Sequence, residues 1–177
     1  MFKKFKYEKI ELAKIRLNSK NPRIVTQQEL KSQPEILRYF FDHENLEKFI
    51  KKIASEGKNH GAERLYIIKD GKDYVVIEGN TRIAAYKVIT GIMTAPEEYA
   101  STVPHISASL KESLMEVDCT VAPDRDSLLS IMANSHFRLS DKARWGFLGS
   151  RKAVYDEWRG GKNVTNLPKG IGNTPTN

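Results

Sequence analysis

The sequence predicts an α/β fold in which short strands alternate with helices. Three observations predict it. Residues Tyr74 to Ile89 begin as an apolar, β-branched run, turn at Glu78-Gly79-Asn80 and continue with helical spacing. The apolar runs Leu65 to Ile68 and Tyr74 to Ile77 flank Asp70-Gly71, a strong hairpin signal. Leu46, Phe49, Ile50 and Ile53 recur on one face, as an amphipathic helix requires.

The remaining elements follow in chain order. Residues 1–8 are basic and aromatic and read as an edge strand or arm. From Lys9 to Leu17, Ile10, Leu12, Ile15 and Leu17 alternate with polar residues, which suits a short strand followed by a turn. Asn21-Pro22 marks a turn, because the residue before proline is pushed out of the helical region. Gln27 to Asp42 is expected to be helical, with Pro34 near its start. Asn45 is expected to cap a helix from Leu46 to Ser55, which Gly57 stops. In the third helix Asn80 or Thr81 is the expected cap, and Thr90-Gly91 the end. Ala95 to Val103 and Ser107 to Leu114 are short helices, and Val117 to Val121 is the last strand. Helices from Asp124 to Phe137 and from Ser140 or Asp141 through Trp158 complete the chain. The expected organisation is an α/β domain at 1–122, a helical extension at 123–160 and a disordered Asn-, Thr-, Gly- and Pro-rich tail at 161–177.

Composition narrows the function. A net charge of +7 favours an anionic partner, nucleic acid or a nucleotide's phosphates. Cys119 is the only cysteine, so neither an intramolecular disulfide nor a cysteine-based zinc site is expected. It lies in an alternating segment, where a buried inert thiol is the natural reading. No apolar run approaches the roughly 20 residues of a membrane span, and the N-terminus lacks the apolar core of a signal peptide. The expected location is cytoplasmic.

Three polar clusters stand at the edges of regular elements: Asn21-Pro22-Arg23, Glu78-Gly79-Asn80-Thr81-Arg82, and Asn134-Ser135-His136 with Arg138. The second opens a helix, where unpaired N–H groups and the positive end of the dipole attract anions. Singly, each has a plain alternative. Arg23 reads as a solvated loop residue, Arg82 as a surface helix arginine and His136 as a solvated helix end.

In this order, however, the clusters resemble the N-terminal domain of ParB proteins, in the ParB/sulfiredoxin superfamily. The resemblance covers about residues 8–158 and rests on Asn21-Pro22-Arg23, Gly57, Leu65 to Ile68, Gly79 to Ala85, and Ala133 to His136. It implies a small mixed β-sheet with flanking helices and a helical C-terminal segment that completes a nucleotide pocket. It implies a bound nucleoside triphosphate, CTP in that family, with magnesium and slow hydrolysis as a switch in a DNA-associated process.

Carried over by position, Gly79, Asn80, Thr81 and Arg82 would cradle phosphates, with Arg23 and Asn134 assisting. Glu78 and Asn134 would approach the metal, and Glu78 and His136 would be the catalytic pair. Base selection would fall to the loop Lys58 to Arg64. Asn80-Thr81 replaces the family's paired arginines, and the turn lacks the sulfiredoxin cysteine. No DNA-reading helix-turn-helix follows, so a stand-alone phage- or plasmid-type relative, or a fragment, is expected.

Two alternatives remain. One is a DNA-binding or adaptor module using Lys142, Arg144, Arg151 and Lys152. The other is a metal-dependent nuclease using Glu78, His136 and Asp141, a poor carboxylate set for two-metal chemistry. The expected partners are thus a nucleotide, then DNA, with a homodimer as the assembly to test.

Overall fold

The computed structural model describes residues 4–58 and 64–129, together with 152, 155, 156, 159 and 160. It is mixed α/β, with helices flanking a five-stranded sheet. The strands are β1 (Lys6–Glu11), β2 (Ile15–Arg16), β3 (Leu65–Asp70), β4 (Asp73–Glu78) and β5 (Glu116–Ala122). Their spatial order is β1-β5-β3-β4-β2. β1/β5 and β3/β4 are antiparallel, whereas β3/β5 and β2/β4 are parallel.

The expected single strand in Lys9–Leu17 is divided. A 3-10 turn at Leu12–Lys14 separates β1 from β2, and the two pieces form opposite edges of the sheet. Four residue steps, from Glu11 to Ile15, reach at most about 14 Å. Five flat strands would span about 19 Å. The sheet must therefore curl, bringing its two edges toward the 3-10 turn.

The helices are α1 (Gln33–His43), α2 (Leu46–Glu56), α3 (Asn80–Thr90), α4 (Glu97–Ala100) and α5 (Ala108–Leu114). The first begins six residues later than the sequence suggests. Pro34 lies within its first turn, and Ser32 and Glu35 form a reciprocal capping box there. Asn45 does precede α2, but in the left-handed region (φ 52°) and without a side-chain cap bond. The cap of α3 is Gly79, not Asn80 or Thr81. In the 124–137 stretch, the described part holds a 3-10 turn at Asp126–Leu128. The rest of that predicted helix lies outside the described residues. Of the final predicted helix, Lys152, Tyr155 and Asp156 are described and helical, and Arg159, one residue past its expected end, is helical too.

The core lies between the sheet and the helices. Ile67, Val76, Val117 and Cys119 from the strands meet Ile36, Phe40, Ile50 and Ile53 from α1 and α2. Every residue of α3 from Ile83 to Thr90 is buried, and the paired alanines 84 and 85 let neighbours approach closely. Cys119 is buried, and burial pushes its thiol up to about 12. Among the described residues, no helix is long and apolar enough to cross a membrane.

Candidate functional site

The turn after β4 is built by Gly79. Its φ of +99° lies in the region that glycine tolerates best. A Cβ at this position would also overlap Leu65 Cδ2. The positive φ is thus a sufficient reason for the glycine, apart from any approach by phosphate. The first ladder bond of α3 runs from Ile83 N–H to the Gly79 carbonyl at 3.0 Å. The N–H groups of Asn80 and Thr81 therefore precede the ladder, at the positive end of the dipole. Thr81 and Arg82 are half-buried. The positive charge of Arg82 partly opposes the upward shift that burial imposes on Tyr86.

Asn80 has a role that its sequence context does not reveal. It is buried, and its Oδ1 accepts from Asn18 N–H at 2.9 Å. Its Nδ2 donates to the carbonyls of Val76 and Ile77, both at 3.3 Å. The side chain thus fastens the segment after β2 to the end of β4. Any phosphate contact by Asn80 would run through its backbone N–H.

The partner segment is a series of side chain-supported turns. Asn18 Oδ1 accepts from Lys20 N–H at 2.9 Å, and Asn21 Oδ1 accepts from Arg23 N–H at 3.0 Å. Gln33 on α1 uses both ends of its amide on the backbone of Leu17. Arg23 Nη1 lies 3.4 Å from Glu44 Oε2, and both side chains are mostly buried. Burial raises the Glu44 pKa, and Arg23 partly offsets the rise. One group stands apart: Asn18 Nδ2 is buried and has no hydrogen-bond partner among the described residues.

Asn18 lines a cavity of about 410 Å³ between the β2/β4 side of the sheet and the start of α1. The lining carries Arg16, Lys20, Lys31, Lys69 and Arg125 against one carboxylate, Asp70. Arg16 is paired with that carboxylate. A second cavity, of about 700 Å³, shares Ser19, Lys20 and Arg125 with the first and reaches Lys152 and Arg159. Both volumes fall in the range of small-molecule sites.

The structure ties Asn18, three residues before the predicted 21–23 cluster, to the 78–82 turn through the Asn18–Asn80 hydrogen bond. Arg23 sits beside Glu44 and does not line the 410 Å³ cavity. Lys152, predicted to contact nucleic acid, lines the larger cavity and bonds Asp156 at 2.8 Å. Asn134, His136, Lys142, Arg144 and Arg151 lie outside the described residues. In the loop 58–64, Lys58 Nζ donates to the carbonyls of Ser113 and Glu116, and Arg64 stacks on Tyr7. Neither lines these two cavities.

Sequence reasoning misses Asn18, Lys20, Lys31 and Arg125. Asn18-Ser-Lys-Asn21 carries a signal, two Asx residues before a proline, but it reads equally as a plain turn. Among the described residues, no three His, Cys, Asp or Glu side chains form a metal-ligating group. No protein-family model, curated protein or solved structure matches the chain.

Proposed function

We propose that this protein binds a nucleoside triphosphate, with its phosphates at the N-terminus of α3 and its remainder in the adjoining basic cavity. The observation that carries the reading is the Asn18–Asn80 hydrogen bond, which fixes one end of that cavity beside the first residue of α3. The chemistry suits the ligand. A helix N-terminus supplies N–H donors and a positive dipole end. Lys20 and Arg125, shared by both cavities, supply cations that pair with phosphate oxygens. Ile36, Ile68, Val75 and Ile77 give the smaller cavity an apolar wall for a heterocycle.

Magnesium would accompany the triphosphate. It commonly takes one or two carboxylates together with substrate phosphates, and Glu78 provides a carboxylate at the end of β4. When bound, it would neutralise phosphate charge. The ParB resemblance extends the reading to CTP and to a nucleotide-dependent switch in a DNA-associated process.

The test is a thermal-shift panel of nucleoside triphosphates with magnesium on the full chain. Ligand at about 100 times its Kd adds about 2.7 kcal/mol, a shift of several degrees. Lys20→Ala and Arg82→Ala should each remove most of the shift. A flat panel at millimolar nucleotide would overturn the reading. Phosphate release measured on any hit separates binding from hydrolysis.

A further inference from the structure

We infer that β1 is a dimerisation edge: it pairs antiparallel with β1 of a second copy of this chain, in the register that sets Tyr7 opposite the partner's Tyr7. This goes beyond the nucleotide reading and does not depend on it.

β1 ends the sheet on one side. Its inner side is paired with β5 from Lys6 to Glu11. Among the described residues, no backbone group bonds its outer side. Such an edge offers a row of N–H and C=O groups to another strand. Tyr7 stands on it 69% exposed, more than any other large hydrophobic side chain among the described residues. The ring is nevertheless held. Arg64 Nη1 donates to its hydroxyl at 3.0 Å, and the guanidinium lies 5.1 Å from the ring centroid. A side chain already fixed at the surface loses little freedom when a partner meets it.

Symmetry limits the register. A two-fold axis between antiparallel strands carries each residue onto its own copy without changing its face of the sheet. Residues opposite one another also share a face, and faces alternate along a strand. The axis must therefore pass through a residue that lies opposite its own copy. At Lys6, Glu8, Lys9 or Glu11 this would set like charges against each other, which is destabilising. At Ile10, a core residue, it would press the 3-10 turn at Leu12–Lys14 onto the partner. At Tyr7 it pairs two aromatic rings. It also sets Lys6 opposite the partner's Glu8, and Glu8 opposite the partner's Lys6. Charged residues on an edge ordinarily keep strands apart. Those of β1 repel in the neighbouring registers and attract in this one, which is the pattern a specific self-pairing needs.

Exchanging the two charges tests the register. Sedimentation equilibrium of the full chain at about 100 μM, a concentration suited to small, transient interfaces, should show a monomer–dimer equilibrium. Lys6→Glu should weaken the dimer about tenfold, because both symmetry-related pairs become repulsive, and Glu8→Lys should do the same. The double variant carrying both substitutions restores each pair with its charges reversed. Its dimerisation should return to within about twofold of wild type.

A wild-type chain that stays monomeric at this concentration overturns the inference. Hydrogen exchange then tells a bare edge, with fast outer amides on β1, from one covered by another segment of the chain. A dimer that neither single variant weakens places the contact on another surface and overturns it too. So does a double variant as weak as the single ones, since the two positions would then not face each other.

Discussion

The two faces of the sheet are made by the same strands and have opposite characters. Alternation along each strand sends Leu65, Ile67, Val76, Val117 and Cys119 to one face and Ile68, Val75, Ile77 and Ala122 to the other. The first face is closed by α1, α2, α3 and α5, and its residues belong to the main core. The second gathers a smaller cluster around Ile77, Ala122 and Leu128 and borders the basic cavity. The first shows what stability needs, which is apolar side chains filling space. The second shows charge gathered at an opening, where Lys20, Lys31 and Arg125 share the lining. Asn80 sits where the two meet.

The largest expected effect lies wholly on the closed face. Phe40 is fully buried on α1, and Phe40→Ala should cost about 4 kcal/mol through lost burial and the void left behind. Urea unfolding reads this as a lower midpoint. Nucleotide affinity, measured where the variant is still folded, should hardly change. A large affinity loss would mean that the two faces are not separable.

Next comes the junction. Asn80→Ala removes the acceptor of the buried Asn18 N–H and should cost about 2 kcal/mol. Unlike the first variant it should also weaken nucleotide binding, because the Asn18 segment loses its tie to α3. Hydrogen exchange at the Asn18 amide should accelerate. Protection equal to wild type would show that the tie does not hold the segment.

The smallest effect tests the polar exception on the closed side. Burial of Lys87 on α3 holds its pKa below the ordinary 10.5, with Asp73 partly opposing. The unfolded chain therefore holds this proton more tightly than the folded one. Its stability penalty is complete below the folded pKa and disappears as pH rises toward 10.5. Lys87→Met should raise stability by about 1 kcal/mol near neutral pH, the low end of the cost of burying a polar group. Melting temperatures of the two chains should converge as pH approaches 10.5. A gap independent of pH would assign the gain to packing alone.

Locally coded features are legible in the sequence. The Asp70-Gly71 hairpin, Gly57 and Gly91 as helix stops, Ser107 before α5 and the buried Cys119 all follow from turn chemistry and periodicity. Sequence and structure part where two local rules compete. Pro34 with Ser32 and Glu35 sets the start of α1, although the apolar pattern begins earlier. Gly79 caps α3 because the turn needs a positive φ, although Asn80 and Thr81 are better capping residues by type.

By itself, then, the sequence determined the α/β class, most of the element boundaries and the turn at 78–82, since these depend on neighbours a few residues apart. Only the tertiary structure decided that β1 and β2 are opposite edges, that β5 enters between β1 and β3, and that Asn80 serves Asn18 across 62 positions of chain. It also decided that Lys20, Lys31 and Arg125 share one cavity wall. The physical reason is that a hydrogen-bonding group or a charge does not carry its partner's address in the adjacent residues. Strand pairing and burial choose that partner when the chain closes on itself.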